Sequence, residues 1–199
     1  MQAGEPDGNR LERRRVVAAR VFAAVLAGAL LLWAAWSAVR EAYAERLFFS
    51  GETDALKRAV DLSPRRALYR VGLAELLDRE GGDPLPALQE AARLRARDDS
   101  IWIRLGLREE IAGHVAAAEV HLLEAARASR KYVPRWTLAN FYYRHSREEV
   151  FWQWAREALA VSYGDRTPLF ELCWNLRPDP AFLLERAIPR RRPVLTDYA

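Results

Sequence analysis

The 199-residue chain is poor in the residues that most chemistry needs: one cysteine, one methionine and three histidines. A lone Cys173 excludes an intramolecular disulfide and a cysteine-based zinc site. It reads as a buried small hydrophobe between Leu172 and Trp174, with an intermolecular link as the alternative in an oxidising compartment. The sequence has no glycine-rich phosphate loop, nucleophile-elbow serine or two-histidine zinc helix motif. His121 and Glu124 share a helix face and His114 lies further along, but a metal needs three or four converging ligands. His114, His121 and His145 are therefore read as solvated or partner-facing. Glu109-Glu110 and Glu148-Glu149 are adjacent carboxylates, which point apart on a helix and are read as solvated faces. No catalytic residue, metal or cofactor is assigned, and the chain is expected not to be an enzyme.

Lysine is also scarce: only Lys57 and Lys131 occur, and the remaining cations are arginine. With the many alanines, this bias suits a bacterial genome rich in G and C. The net charge is +4, and Arg10, Arg13, Arg14, Arg15 and Arg20 all lie before the apolar run. Beyond residue 39 basic and acidic residues nearly balance, so the basic stripe of a nucleic-acid reader is missing. Nucleic acid is excluded as a partner.

One long apolar run is present. Val21–Val39 carries no charge and is long enough to cross a hydrocarbon core of ~30 Å as a helix rising ~1.5 Å per residue. Trp33 and Trp36 sit near its end, where amphipathic rings favour the interface. The arginines before it predict a cytoplasmic N-terminus and a periplasmic C-terminal domain at a bacterial inner membrane. Two other readings stay open. Ala42-Tyr43-Ala44 resembles a cleavage site, which would make the segment a signal peptide and the remainder a soluble periplasmic module. The run could also be a buried soluble helix.

The rest of the chain is organised by an internal repeat. Leu68, Val71, Gly72, Leu88 and Ala91 are followed, one period on, by Trp102, Leu105, Gly106, Leu122 and Ala125. A period of about 34 residues marks stacked helix–turn–helix units. In the unit 99–132, Gly106 and Ala118 are small so that two helices can approach, Trp102, Leu105 and Leu122 fill the seam, and Gly113 serves the turn. The unit 133–166 keeps Trp136, Ala139, Tyr143, Ala155 and Ala158 but carries bulky Trp152 and Trp154. Aromatic residues crowd this region, from Trp136 through Phe141, Tyr142 and Phe151 to Tyr163, Phe170 and Trp174. Helical spacing lets about half be core; the favoured reading is that the cluster is core alone, and the alternative is core plus an interface.

These residues resemble the tetratricopeptide repeat family over about residues 40–162. Glu109 stands where that family usually has Tyr, and Arg130 where it usually has Pro. A looser resemblance links Pro134–Tyr143 and Leu172-Cys173-Trp174 to membrane-anchored bacterial repeat proteins. The resemblance implies an all-α fold, with an N-terminal transmembrane helix followed by a short right-handed α-solenoid of helix pairs. It also implies a concave groove lined by the first helix of each unit: Arg66, Tyr69 and Leu73, then Ile103, Leu107 and Glu110, then Thr137, Phe141, Arg144 and His145. Repeat packing falls to Leu68, Gly72, Trp102, Leu105, Gly106, Ala118, Leu122, Ala125 and Trp136. The groove so drawn is mostly apolar, which implies a protein or peptide partner with an apolar segment.

The expected organisation is a disordered basic tail (1–15), a transmembrane helix (16–39) that also contacts the bilayer, a repeat domain (40–166) and further helices (167–199). The last residues look like the entry to a helix that does not follow, which suggests an incomplete cap. The chain is read as a membrane-anchored interaction scaffold in envelope assembly or export. The alternative is a soluble peptide- or glycan-binding module after cleavage.

Overall fold

A computed structural model describes the backbone of residues 8–190 and 192–198, and the side chains of 15–190 and 194–197. Residues 1–7 of the expected tail lie outside the described residues. Among the described residues there are helices and no strands. The chain divides into two units, Met1–Ser63 and Pro64–Ala199.

The first unit is built from α1 (Gly8–Phe48) and α2 (Thr53–Leu62). α1 runs without a break through residue 39, where the apolar run ends, and already covers residues 8–15. Its segment Arg15–Phe48 is long and apolar enough to cross a membrane, and its most apolar stretch has no buried residue. Phe22, Leu31, Leu32, Trp33 and Trp36 are each at least two-thirds exposed. Among the described residues, α1 finds its packing partner at its C-terminal end. There Ala44 is fully buried, α2 contributes Leu56, Ala59 and Val60, and Ser63 Oγ donates to Glu41 Oε2 at 3.1 Å. Gly51, at φ +73°, makes the reversal between the two helices.

The second unit contains α3 (Ala67–Arg79), α4 (Leu85–Leu94), α5 (Asp99–Ile111), α6 (Val115–Ala128), α7 (Tyr132–Arg144), α8 (Glu148–Val161), α9 (Thr167–Leu176), α10 (Pro180–Arg186) and α11 (Arg192–Tyr198). Each helix from α3 to α8 packs on the next, and α3/α4, α5/α6 and α7/α8 are the tightest pairs. The apolar spacing explains the pairing. In α5 and α6, Ile101, Leu105, Leu122 and Ala125 are all at most 4% exposed. Burying a leucine fully stabilises by ~1.5–3 kcal/mol. Gly106 admits this closeness: a Cβ there would lie 2.7 Å from Leu122 Cδ2 and 3.2 Å from the Ala118 carbonyl oxygen.

The three hairpins close alike. The amides of Gly82, His114 and Arg147 donate to the carbonyls of Leu77, Glu109 and Tyr142, five positions back, at 2.8–2.9 Å. This is the Schellman closure, which needs a left-handed residue after the helix. Gly81 (φ +77°), Gly113 (+83°) and Ser146 (+54°) occupy that place.

Two expectations are corrected. Leu68 is 58% exposed and not a seam residue. Trp102, its counterpart in the next unit, reaches back to donate its Nε1–H to the Ala96 carbonyl at 2.9 Å and stacks on His121, a reach that leucine lacks. The final residues do form a helix, α11, whose Val194 is buried with Leu183, Ala187 and Ile188 in the larger core. Asp197 of α11 pairs with the buried Arg166, which also donates to the Ser162 carbonyl.

Candidate functional site

The first helices of the hairpins, α3, α5 and α7, are the elements expected to line a binding groove. The structure separates the ten residues assigned to it. Phe141 is fully buried, Tyr69 is 1% exposed and Thr137 9%. These three cannot line a groove, which corrects the expectation. Phe141 belongs to the buried cluster drawn from α6 to α11, and packs edge-on against Tyr142 at 5.3 Å. Thr137 turns its hydroxyl to the Val133 carbonyl at 2.9 Å. Arg66 is exposed, its guanidinium 5.5 Å from the Tyr69 ring centre. Leu73, Ile103 and Leu107 are half-buried and stay accessible.

Glu110, Arg144 and His145 are brought together. Arg144 donates through Nε and a terminal nitrogen to the two oxygens of Glu110, at 3.0 and 2.7 Å. His145 Nε2 lies 2.9 Å from the same carboxylate. Burial raises the Glu110 pKa, but the Arg144 and His145 bonds and charges outweigh it, so the group sits below its ordinary 4.5. A bidentate arginine fork of this kind fixes relative position as well as energy. It ties α5 to α7, one repeat unit apart.

A second pair of ties joins α3 to α5. Arg104 pairs with Glu75, and Arg108 with Asp78 at 2.6 Å. Both are half-exposed, and such pairs contribute ~0–1 kcal/mol each. Between them lies a cleft of about 200 Å³ whose apolar floor is Ala74, Pro84, Leu88, Leu107 and Ile111. Ile111 is 73% exposed at its mouth. Of these residues only Leu107 belongs to the expected groove. Glu75 and Asp78 share one face of α3, and Arg104 and Arg108 one face of α5, and this helical spacing of acids and arginines is the signal in the sequence.

The paired carboxylates depart from expectation. Glu109 is 4% exposed and accepts from His114 Nδ1 at 2.7 Å. Glu110 is mostly covered by its two partners, so neither is a solvated face. They do point apart, to His114 and to α7. Glu148 and Glu149 are exposed; Glu148 accepts from Trp152 Nε1 at 3.0 Å. His121 stacks on Trp102 with ring centres 5.7 Å apart, and burial holds its pKa below the ordinary 6.5 against the pull of Glu109 and Glu124. Cys173 is buried, and burial pushes its thiol up to about 12. Among the described residues no group of three or more His, Cys, Asp or Glu converges to hold a metal ion.

Most of the aromatic surplus is core. Phe141, Tyr142, Phe151 and Trp152 are buried, and Trp136, Tyr143, Trp154 and Phe170 pack against them. Tyr163 (93% exposed) and Trp174 (46%) remain on the surface. Comparison with known protein families and with curated proteins finds no match.

Proposed function

We propose that the chain is a membrane-anchored interaction scaffold without catalytic chemistry. In this reading Arg15–Phe48 of α1 carries the bilayer anchor, and α3–α8 form a short solenoid of tetratricopeptide-like hairpins that holds a protein partner. The observation that carries it is the pairing of a long, bare apolar helix with serial helical hairpins whose accessible cleft is apolar. The arginines before Val21 support a cytoplasmic N-terminus and a periplasmic second unit at a bacterial inner membrane, by the excess of cations on the cytoplasmic side. A role in envelope assembly or export fits that place. Tethering raises the effective concentration of a client without a new contact.

The binding site in this reading is the cleft between α3, α4 and α5 together with Leu73, Ile103 and Glu110. A partner presents one apolar side chain to Leu88 and Leu107 and polar groups to the flanking ion pairs. The alternative, a soluble module released by cleavage after Ala44, is disfavoured by one observation. Ala44 lies inside the unbroken helix α1, whereas a small-x-small site is cut in extended backbone.

Two measurements test the proposal. N-terminal sequencing of the mature protein should find the uncleaved terminus; a start at Glu45 overturns the anchor. Photo-crosslinkers at Ile103 and Leu107 should capture one dominant protein, with none from Val120, which is 56% exposed on α6. Leu107→Glu should abolish the capture from Ile103 with the helical spectrum unchanged. Capture that survives this substitution overturns the cleft.

A further inference from the structure

The turns that lead from one hairpin of the second unit to the next lie on one edge. Alternating helix direction brings together the starts of α3, α5, α7 and α9 and the ends of α4, α6 and α8. Three observations fix the edge. Arg95, Arg97, Asp98, Asp99 and Lys131 line one shallow cleft, so the α4–α5 and α6–α7 turns are neighbours. Arg135, near the start of α7, donates to Glu157 near the end of α8 at 3.2 Å. The α8–α9 turn leaves from that same end of α8, where Arg166 donates to the Ser162 carbonyl.

The charge on this edge is one-sided. Exposed Arg65, Arg66, Arg95, Arg97, Arg130 and Lys131 stand at successive turns. The acids there are Asp98, Asp99, Glu157, Asp165 and Asp197, of which Glu157 pairs with Arg135 and Asp197 with Arg166. Asp98 is engaged by Arg95 at 3.6 Å and by the Ser100 amide, and Asp165 accepts from the Thr167 amide. Among the described residues no carboxylate pairs with Arg65, Arg97, Arg130 or Lys131. Apolar side chains are set between these cations: Leu68 (58% exposed), Val133 (53%) and Tyr163 (93%). The opposite edge is mixed, with Glu80, Asp83, Glu148 and Glu149 exposed at its turns beside exposed Arg79, Arg144 and Arg147.

We propose that this edge docks on the anionic headgroups of a lipid bilayer. Long cationic side chains that reach phosphates while exposed aliphatic and aromatic groups enter the headgroup layer form the pattern of an interfacial surface. The cations are spread along a line of turns and do not converge on a pocket, which suits a surface of many small anions. The supply of bilayer within reach rests on the anchor reading above, since the second unit is joined covalently to α1. The edge itself rests only on the second unit.

The test uses the full chain reconstituted in phosphatidylcholine vesicles with or without phosphatidylglycerol. A fluorophore goes on Ala96→Cys, at the basic edge, or on Ala112→Cys, at the opposite one; both positions are exposed and the native Cys173 is buried. A quencher is carried on the lipid headgroups. The expected result is strong quenching at position 96 only, only with phosphatidylglycerol, and lost at high salt. Arg97→Gln and Lys131→Gln should each lower the docked population about fivefold. Continued protection of Cys173 from alkylation reports that these variants are folded. Equal quenching at both positions, or quenching indifferent to phosphatidylglycerol, overturns the proposal. So does fluorescence at position 96 that responds to soluble polyglutamate and not to lipid, which would point to an acidic protein. Alkaline carbonate separates the two readings. A chain released by carbonate whose position 96 still contacts lipid keeps the edge and loses the anchor. A chain retained with position 96 free of lipid does the reverse.

Discussion

The hairpins α5–α6 and α7–α8 reach the same closure with different side chains. In α5–α6 the close approach depends on Gly106, against which Leu122 and the Ala118 carbonyl press. At the matching place in the next hairpin stands Asn140, half-buried, its amide turned back to the Trp136 carbonyl at 2.9 Å. There the small residues are Ala139 on α7 and Ala155 and Ala158 on α8, all fully buried, and Phe151 fills the space between helices. The two turns also differ: Gly113 takes the left-handed place in one and Ser146 in the other. The backbone hydrogen bonds are nonetheless the same, His114 to Glu109 and Arg147 to Tyr142. A helical hairpin thus requires a closed turn and a volume match at the seam. It does not prescribe which helix supplies the small residue.

This comparison can be broken at the seam first. Gly106→Leu should be the most damaging change, costing at least the ~1–3 kcal/mol of overpacking, because one of the atoms facing the new Cβ is backbone and cannot turn away. Asn140→Leu, at the corresponding place, should cost well under ~1 kcal/mol, near the range of sites away from such features. Urea denaturation of both variants against the parent chain checks the difference. Equal losses would mean that α7–α8 closes through the same contact after all.

The turns come next. Ser146→Gly should stabilise the chain by ~1 kcal/mol, since a residue with a Cβ is penalised in the left-handed region. Gly113→Ala should destabilise it by a similar ~1 kcal/mol for the same reason. Thermal melts of the two variants should shift in opposite directions. Shifts of one sign would show that the turn conformation, common to both hairpins here, is not held in common in solution.

The smallest effect lies in the tie between the hairpins. Glu110 has its pKa lowered from 4.5. A depressed carboxylate contributes stability that is fully present above its unfolded pKa and is lost as pH falls through the lower folded value. Stability should therefore drop on acidification below about pH 4.5, and Glu110→Gln should remove that part of the slope by lowering stability near neutrality while changing little in strong acid. Unfolding midpoints measured across the acid range decide it. An unaltered slope in Glu110→Gln would place the acid sensitivity elsewhere.

Much of this architecture was legible in the residues. The charge-free run Val21–Val39, Gly106 with its spacing to Leu122, and the glycine at 113 each express a local requirement, and local requirements leave a periodic trace. The groove was less legible. Tyr69, Ile103 and Thr137 occupy equivalent positions in successive units, yet Tyr69 and Thr137 are buried while Ile103 is half-exposed. Periodicity states which way a residue points from its helix and says nothing of what later packs over it. The basic edge escaped notice for a related reason. Its cations are scattered in sequence, and net charge averages over them.

The sequence by itself determined that the protein is helical, that its first helix carries one long apolar segment, and that hairpins close where a left-handed residue follows a helix. These features follow from hydrophobic period and backbone sterics, which act over short stretches of chain. Only the tertiary structure decided that Phe141 is core, that Glu109 and Glu110 are partnered by His114 and Arg144, that α3–α5 leave a cleft, and that the turn cations share one edge. Each depends on how one helix meets another, often one that arrives later in the chain. The free energy of burial is set by whatever finally covers a side chain, which no single helix contains.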